Sequence, residues 1–427
     1  MGSTGRTYRD VIGLTGPLLP VVSFLGRLPT ATIQFGSVLL VARTSGSLAA
    51  AGLTGGALAA GQVTCGPLVG RLADRYGQRT VVLAFSLANA LAIAALVAGA
   101  LAGLSVALLA LLGAVAGATV PLIGPLGRAR LVALARRSAA PESTVGAALA
   151  FESTLDEISF VLGPALVGLA AVLAHPAYAL GAAALLVAVC GSGFAMHPTA
   201  RATRRGRPAR SVPRPRMPRS VHPLRAALAL QGAMFGACQA GITALAERLG
   251  QEEQAGLVYA AMGVMSAVAG LSMAAVPARI PLTVRWRAAT TAACVLSLPL
   301  LWTQSMGGLY AVVTVLGVAY APHLVTVFGL TERAVPPTRL AEAMAFATSA
   351  IVGGQALAVA VAGRLAESYG PAAAFGAAST AAALACTIAL TARPSSYTGP
   401  TTEHAHHARV PDERPATPTR EVDPEPT

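Results

Sequence analysis

Charged residues are scarce in this sequence. Asp, Glu, Lys and Arg make up 11% of its 427 residues, against about 25% in an ordinary soluble domain, while hydrophobic residues make up 54%. A soluble globule of this composition would have to expose large apolar patches, which soluble monomers avoid. The scarcity therefore excludes a soluble globular protein and indicates one whose solvent is the lipid bilayer.

Lysine is absent, so all 31 basic residues are arginine. A net charge of +13 would suggest a nucleic-acid partner if it lay on one folded face. Much of it instead lies in short stretches between apolar runs, where positive charge orients a membrane protein. We therefore expect the bilayer and a small-molecule substrate as partners, and no nucleic acid.

Paired metal ligands and enzyme signatures are also missing. There is no nucleophile elbow, phosphate loop or paired-His site on an apolar helix, so we expect neither an enzyme nor a resident cofactor. Without a phosphate loop, ATP is not the direct energy source unless another subunit supplies it. The five cysteines lie singly inside apolar runs, away from metal-ligand spacing, at Cys65, Cys190, Cys238, Cys294 and Cys386.

Apolar runs long enough to span a bilayer as helices, about 20 residues each, occur about twelve times. This pattern predicts an all-α integral membrane fold with twelve transmembrane helices. The runs are Leu18–Leu40, Ala49–Val69, Val81–Leu101, Leu104–Leu126, Val145–Leu173, Tyr178–Met196, Leu224–Leu245, Gly256–Val276, Ala288–Thr303, Leu309–Leu330, Ala343–Ala362 and Ala372–Ala392.

The arginines between the runs fall mostly into alternate loops. Because basic loops stay in the cytoplasm, we predict a multi-pass protein of the cell membrane with both termini cytoplasmic, as an even span count requires. The basic loops contain Arg71, Arg75 and Arg79; Arg128, Arg130, Arg136 and Arg137; Arg279, Arg285 and Arg287; and Arg333 and Arg339.

An Arg- and Pro-rich stretch divides the runs six and six. It predicts a six-helix bundle over residues 1–196, a basic cytoplasmic linker over 197–224 and a second six-helix bundle over 225–393. Residues 394–427 are polar and rich in Pro and Thr, which is typical of a disordered tail.

One loop carries a family signature. After the second run the sequence reads Gly-Arg-Leu-Ala-Asp-Arg-Tyr-Gly-Gln-Arg from residue 70 to 79. It resembles the signature between helices two and three of the major facilitator superfamily, with Gln78 in place of a usual basic residue. The resemblance implies two six-helix bundles, a monomer and a gate, formed here by Gly70, Asp74, Arg75, Gly77 and Arg79. Asp74 could accept hydrogen bonds from a neighbouring helix N-terminus; a plain positive-inside turn is the alternative.

Ionisable residues inside membrane spans are costly and indicate function. Arg27 interrupts the first run, and the fifth contains Glu152, Asp156 and Glu157. In the superfamily's fold helices one and five both face the central cavity, so Arg27 could pair with one carboxylate while others carry protons. The alternative is a fixed salt-bridge network. Gln34 and Gln239 are further candidates for the cavity lining, or for bonds between helices.

The fifth run also contains a Gly-Pro motif. Gly163, Pro164 and Gly168 resemble the motif of the superfamily's drug and metabolite antiporters, and they predict a loosened, closely packed hinge. Antiporters of that group usually carry an arginine within helix four, whereas here Arg128 is expected at its cytoplasmic end.

Together these features predict a secondary transporter that works by alternating access. The favoured function is export of a small amphipathic drug or metabolite in exchange for protons. Two alternatives stay open: uptake of a nutrient with protons, and a ligand sensor with a transporter fold that does not transport.

Overall fold

The computed structural model describes residues 3–203, 216–277 and 279–394, and their regular structure is helical without any strand. The α-helices within these ranges are α1 Ser3–Thr15, α2 Leu18–Ser45, α3 Leu48–Tyr76, α4 Gln78–Leu101, α5 Val106–Ala118, α6 Ile123–Arg137, α7 Glu142–Leu173, α8 Pro176–Leu186, α9 Ser192–Met196, α10 Val221–Arg248, α11 Ala255–Ser272, α12 Leu282–Ser297, α13 Met306–Ala334, α14 Leu340–Tyr369 and α15 Pro371–Thr391.

Ten helical stretches in the described ranges are long and apolar enough to cross a membrane. The other two predicted spans correspond to α3, with 29 residues, and to α12, which continues as a 3-10 helix to Trp302. The all-helical membrane class is therefore confirmed, and ten of the predicted twelve spans meet the criteria of length and composition. The ten are α2, α4, α5 with α6, α7, α8 with α9, α10, α11, α13, α14 and α15.

The fourth span differs from the prediction. It is interrupted after α5, where Leu122 adopts a left-handed conformation with φ 51°, and then continues as α6 to Arg137. Arg128 and Arg130, which we expected in a cytoplasmic loop, lie fully buried within α6. The loop prediction was wrong for these two residues because hydropathy counts them as charges, whereas in the fold both find polar partners.

The first helix, α1, lies before the first predicted span and was not expected. Gly16, with φ 69°, ends it. Val11, only 1% exposed, packs against Leu131 of α6 and against Ala147 and Ala148 of α7, with Ala274 beside them. An N-terminal helix therefore rests on both the first and second sets of helices.

The helices form two halves, α2–α9 and α10–α15, that meet along a seam. In that seam α3 and α6 pack on α14, and α7 packs on α11 and α13. The buried apolar core of the first half runs on into Phe328 of α13 and Ala341 and Met344 of α14. We call the side where α3, α6 and α13 end and α4, α7 and α14 begin the Arg-rich side. The halves are packed together there.

The predicted linker and tail lie partly outside the described residues. A short 3-10 helix over Pro198–Thr203, at the start of the predicted linker, packs Ala200 and Ala202 inward. The second half begins with α10 at Val221, before the predicted boundary at residue 225. The central linker residues 204–215 and the tail from residue 395 are outside the described ranges.

Candidate functional site

Four charged side chains from three helices form a buried cluster in the first half. Arg27 of α2 donates to the carboxylates of Glu152 and Asp156 on α7, the latter at 2.8 Å. Its remaining donors reach the Ser23 hydroxyl at 2.6 Å, the Ser23 carbonyl and the Glu152 carbonyl. Arg128 of α6 donates to the other Asp156 oxygen at 2.5 Å. The two cations and two carboxylates balance, as a buried ion network requires.

Two glycines of α6 make room for these carboxylates. A Cβ added at Gly124 would lie 2.6 Å from an Asp156 carboxylate oxygen, and one at Gly127 would lie 2.8 Å from a Glu152 oxygen. The helix backbone therefore approaches both carboxylates more closely than any side chain would allow. Sequence reasoning missed these glycines, although their spacing of three residues is a signal of close helix packing.

The arginine expected to be missing from helix four is present. Arg128 lies one and a half turns into α6, where the span continues beyond its interruption, and it contacts the candidate carboxylate Asp156. The sequence pattern hid it because the predicted span ended at Leu126.

Glu157 stands outside the balanced cluster and faces the second half. Among the described residues neither of its buried carboxylate oxygens has a hydrogen-bond partner, and the same is true of the hydroxyl of Ser266 on α11, which lies near it. Two close contacts between α7 and α11 fix this position. Gly263 packs against the side chain of Val161, and Gly270 packs against that of Thr154. These contacts lie on either side of Ser266 and Glu157. Tyr320 of α13 is close enough to Glu157 to interact with its charge.

The predicted cavity-lining glutamines form amide pairs in each half. Gln34 donates to Gln62 at 2.8 Å in the first half, and Gln355 donates to Gln239 at 3.5 Å in the second. Gln62 also lines a cavity of about 40 Å³, together with Arg27, Asp156 and Thr348 of α14. The structure thus joins residues of both halves around Asp156, which is 18% exposed.

The signature loop lies at the Arg-rich side of the seam. The carboxylate of Asp74, near the end of α3, accepts hydrogen bonds from the backbone N–H groups of Ala341 at 3.3 Å and Glu342 at 2.8 Å. N–H groups in the first turn of a helix have no acceptor within the helix itself, and a negative charge beside them is stabilising. Asp74 provides both for α14. A Cβ at Gly70 would lie 2.6 Å from the Ala341 carbonyl oxygen, so glycine is needed for this approach.

The remaining signature residues turn the chain into α4. Gly77, with φ 88°, provides the reversal, Arg75 lies over the ring of Tyr76 at 5.1 Å, and Arg79 is exposed. Gln78, the residue that departs from the pattern, is 1% exposed. It donates to the Leu126 carbonyl at 3.0 Å and accepts from Arg130 at 2.9 Å.

Ion pairs join the halves beside the signature loop. Arg136 of α6 pairs with Glu332 of α13 at 3.2 Å, and Arg333 pairs with Glu142 of α7 at 3.1 Å. Arg136 also pairs with Glu142. Glu142, Glu332 and Arg333 border a cleft of about 230 Å³ between the halves, which is lined also by Gly146, Ala147, Met273, Ala274, Leu282 and Arg285.

The predicted hinge lies in a continuous helix. Pro164 is inside α7, which runs unbroken from Glu142 to Leu173. A Cβ at Gly163 would lie 2.8 Å from the Ala31 Cβ, so α7 packs closely on α2 there, whereas one at Gly168 would meet nothing within 4 Å. Close packing therefore accounts for the first glycine and not for the second.

The sequence profile described as Major Facilitator Superfamily matches residues 21–348. This chain belongs to the Major Facilitator Superfamily. The match covers the signature loop, the four-charge cluster and most of the seam. No curated protein sequence matches the chain.

Solved structures of other Major Facilitator Superfamily transporters share the fold. A bacterial homologue of the iron transporter ferroportin, in an outward-facing state, has a TM-score of 0.70 at 16% identity, covering 87% of this chain and 98% of its own. The human organic anion transporter MFSD10 gives 0.65 at 18%, covering 91% and 100%. The Escherichia coli fucose:proton symporter FucP gives 0.63 at 14%, covering 88% and 98%. At these identities the likeness shows the fold alone.

Proposed function

We propose that this superfamily member is a proton-coupled exporter of a small amphipathic molecule, working by alternating access, and that Glu157 carries the proton. The Arg-rich side is then the cytoplasmic side, since basic loops remain there. The observation that supports the proposal is the carboxylate left over from a balanced cluster: the Glu157 carboxylate oxygens are buried at the seam without a hydrogen-bond partner among the described residues.

Burial at the seam links protonation to closure. An ionised carboxylate without a partner is far more costly in the closed seam than a neutral carboxylic acid. When the halves separate on the Arg-rich side, water can reach Glu157 and solvate its carboxylate, which lowers the free-energy cost of the ionised form. Protonation therefore favours the closed seam and loss of the proton favours its opening, which is the linkage that a proton-driven cycle needs.

The four-charge cluster has a different part in this proposal. Both of its carboxylates are already held by arginines, so Asp156 and Arg27 shape the cavity and present polar groups to the substrate. Asp74 at the α14 N-terminus and the ion pairs Arg136–Glu332 and Arg333–Glu142 act as the gate that rocking of the two halves releases. Gly163 and Pro164 serve as the flexible point of α7 in the same movement.

The test uses purified protein in liposomes that contain a pH-sensitive dye, with ethidium, tetracycline and fucose as trial substrates. We expect Glu157→Gln to abolish substrate-driven proton movement while exchange of labelled substrate across the membrane continues. Asp156→Asn should impair both, because it leaves Arg27 and Arg128 without their shared partner. The exposed Glu367, which pairs with Arg364, provides the control variant Glu367→Gln.

Proton movement that survives in Glu157→Gln would contradict the assignment of the proton to this residue. The direction of proton flow relative to substrate separates export from the alternative of uptake by symport. Binding of a trial compound without any flux, in wild type and variants alike, would instead support the ligand sensor.

A further inference from the structure

Arginine guanidinium groups lie over phenylalanine rings at three places in the described chain. One of them joins the two halves: Arg128 of α6 lies 3.9 Å from the ring centre of Phe328 on α13. The other two lie within a single half and are Arg130 over Phe194 at 3.7 Å and Arg225 over Phe346 at 3.8 Å. Only the first stack has to break when the seam opens.

Arg128 has few other partners. Its Nη2 atom donates to Asp156 at 2.5 Å and lies 3.5 Å from the hydroxyl of Ser153. Its Nε and Nη1 atoms are buried without an acceptor among the described residues. The aromatic face of Phe328 is therefore a main source of stabilisation for this buried cation, and a desolvated site is where cation–π attraction is strongest.

Arg128 is also close enough to Glu157 to interact with its charge. In the closed seam the guanidinium of Arg128 donates to Asp156, while the carboxylate of Glu157 has no hydrogen-bond partner among the described residues. The ring of Phe328, 1% exposed in the continuous core, occupies one face of the guanidinium and fixes it in this orientation.

We propose that Phe328 is a positioning residue: its stack on Arg128 keeps that arginine on Asp156, so that Glu157 stays unpaired while the seam is closed. The proposal rests on the proposed proton role of Glu157. Without the ring, Arg128 can turn towards Glu157 and stabilise its ionised form in the closed seam. Closure then no longer requires a proton, and the link between pH and gate opening is lost.

The charged and polar groups around this contact lie on α2, α7, α11 and α13. Arg27 of α2 and Glu152 of α7 hold the far side of Asp156. From the second half, Ser266 and Tyr320 face Glu157. Arg27 is held by both Glu152 and Asp156, so Arg128 is the cation that removal of Phe328 leaves free to change partner.

The test measures gate opening without transport. The variant Gly146→Cys is made in a background with the five native cysteines changed to serine. Gly146 lines the cleft on the Arg-rich side, and an added Cβ there would meet no atom within 4 Å. The rate of maleimide labelling in detergent is divided at each pH by that of a free thiol peptide. In the parent protein this ratio should rise from mildly acidic to mildly alkaline buffer, as the seam opens.

Phe328→Leu keeps an apolar side chain of similar volume but removes the ring. We expect it to lower the alkaline-side labelling ratio about tenfold, equivalent to ~1.4 kcal/mol of gained closure, and to make the ratio nearly independent of pH. Phe328→Tyr, which keeps the ring, should behave like the parent. Phe194→Leu removes a buried stack within one half and should keep the parent's pH dependence.

An unchanged pH dependence in Phe328→Leu would overturn the positioning role, as would equal flattening in Phe194→Leu, which would show that loss of any buried stack has this effect. A labelling ratio that rises at acidic pH in Phe328→Leu would indicate general loosening and would also overturn it. A parent protein without any pH dependence would contradict the proton role of Glu157 itself, and the two failures are thus distinguishable. In a Glu157→Gln background, Phe328→Leu should no longer alter the pH profile.

Discussion

At the scale of single residues, polar groups in the membrane are tolerated because neighbouring glycines and small side chains bring partners within reach. Gly124 and Gly127 admit the carboxylates of Asp156 and Glu152 to the backbone of α6, and Ser23 completes the donors of Arg27. In the part of the chain that the structure describes, the Glu157 carboxylate has no such partner, and this contrast within one helix distinguishes a structural charge from one available for function.

Gly127→Ala should destabilise the protein by about 1–3 kcal/mol, because the new methyl group would lie 2.8 Å from a Glu152 oxygen held by Arg27. Thermal unfolding in detergent would show it as a lower midpoint. Gly146→Ala, at an open position of α7, is the matched control. Equal midpoints for the two variants would mean that Glu152 moves aside at little cost.

Gln78→Lys restores the basic residue usual in the superfamily signature, yet we expect it to destabilise this chain by roughly 2–4 kcal/mol. The buried ammonium would face the guanidinium of Arg130, which now donates to Gln78, and the two like charges would repel each other at a buried site. Thermal unfolding again measures the effect, with exposed Arg79→Lys as control. A stable Gln78→Lys protein would show that α4 and α6 can repack.

At the scale of helices, α1 is an element whose stability depends on its neighbours. A helix of 13 residues is marginal alone in water, so the packing of Val11 on α6 and α7 must hold it. Val11→Asp should release α1 and raise hydrogen exchange of its backbone amides. Ile12→Asp, at the adjacent residue that is 41% exposed, should leave exchange slow.

Fast exchange in both variants would mean that α1 is held by its charges or by the membrane surface and not by Val11. Slow exchange in both would mean that the helix has support beyond the contacts with Leu131, Ala147 and Ala148.

The same scale shows how much the sequence could predict. Long apolar runs gave the helices their approximate positions, because hydropathy over 20 residues depends little on neighbours. The interruption at Leu122 and the continuation of α6 could not be predicted, since the energy that buries Arg128 comes from Asp156, distant in sequence. The helix α1 was missed because its apolar face is short and stabilises the helix only by packing on other helices.

The residues of the candidate site could be predicted from the sequence, but which of them pair with one another could not. Arg27 and the fifth-span carboxylates could be named because charges are rare in membrane spans. Which carboxylate stays unpaired depends on side-chain direction: Glu157 is turned by about 100° from Asp156 around α7 and so faces the other half. Phe328 carried no signal in the sequence, where it is one apolar residue among many.

At the scale of the whole molecule, the seam between the halves is the part that an alternating-access cycle has to break. Cysteines at Val161 and Gly263 would place their Cβ atoms about 3.8 Å apart across it, the separation typical of a disulfide. In a background without the native cysteines, oxidation of this pair should abolish transport in liposomes, and a reductant should restore it.

A matched pair lies within one half. Cysteines at Val22 and Gly193 would have Cβ atoms about 3.9 Å apart, but both belong to helices of the first half, α2 and α9. Oxidation there should leave transport intact. Transport that continues with the seam pair fully oxidised would contradict a cycle in which α7 and α11 separate.

The glycines that line the seam have a consequence for the cost of each closing event. Where Gly70 meets Ala341 and Gly263 meets Val161, much of the contact is made by backbone and by side chains with few or no rotamers to lose. Ordering Gly and Ala side chains costs almost no conformational entropy, whereas a long flexible side chain costs about 1.5–2 kcal/mol. The two arrangements can therefore stay close in free energy, and the binding of one proton or one small molecule is enough to choose between them.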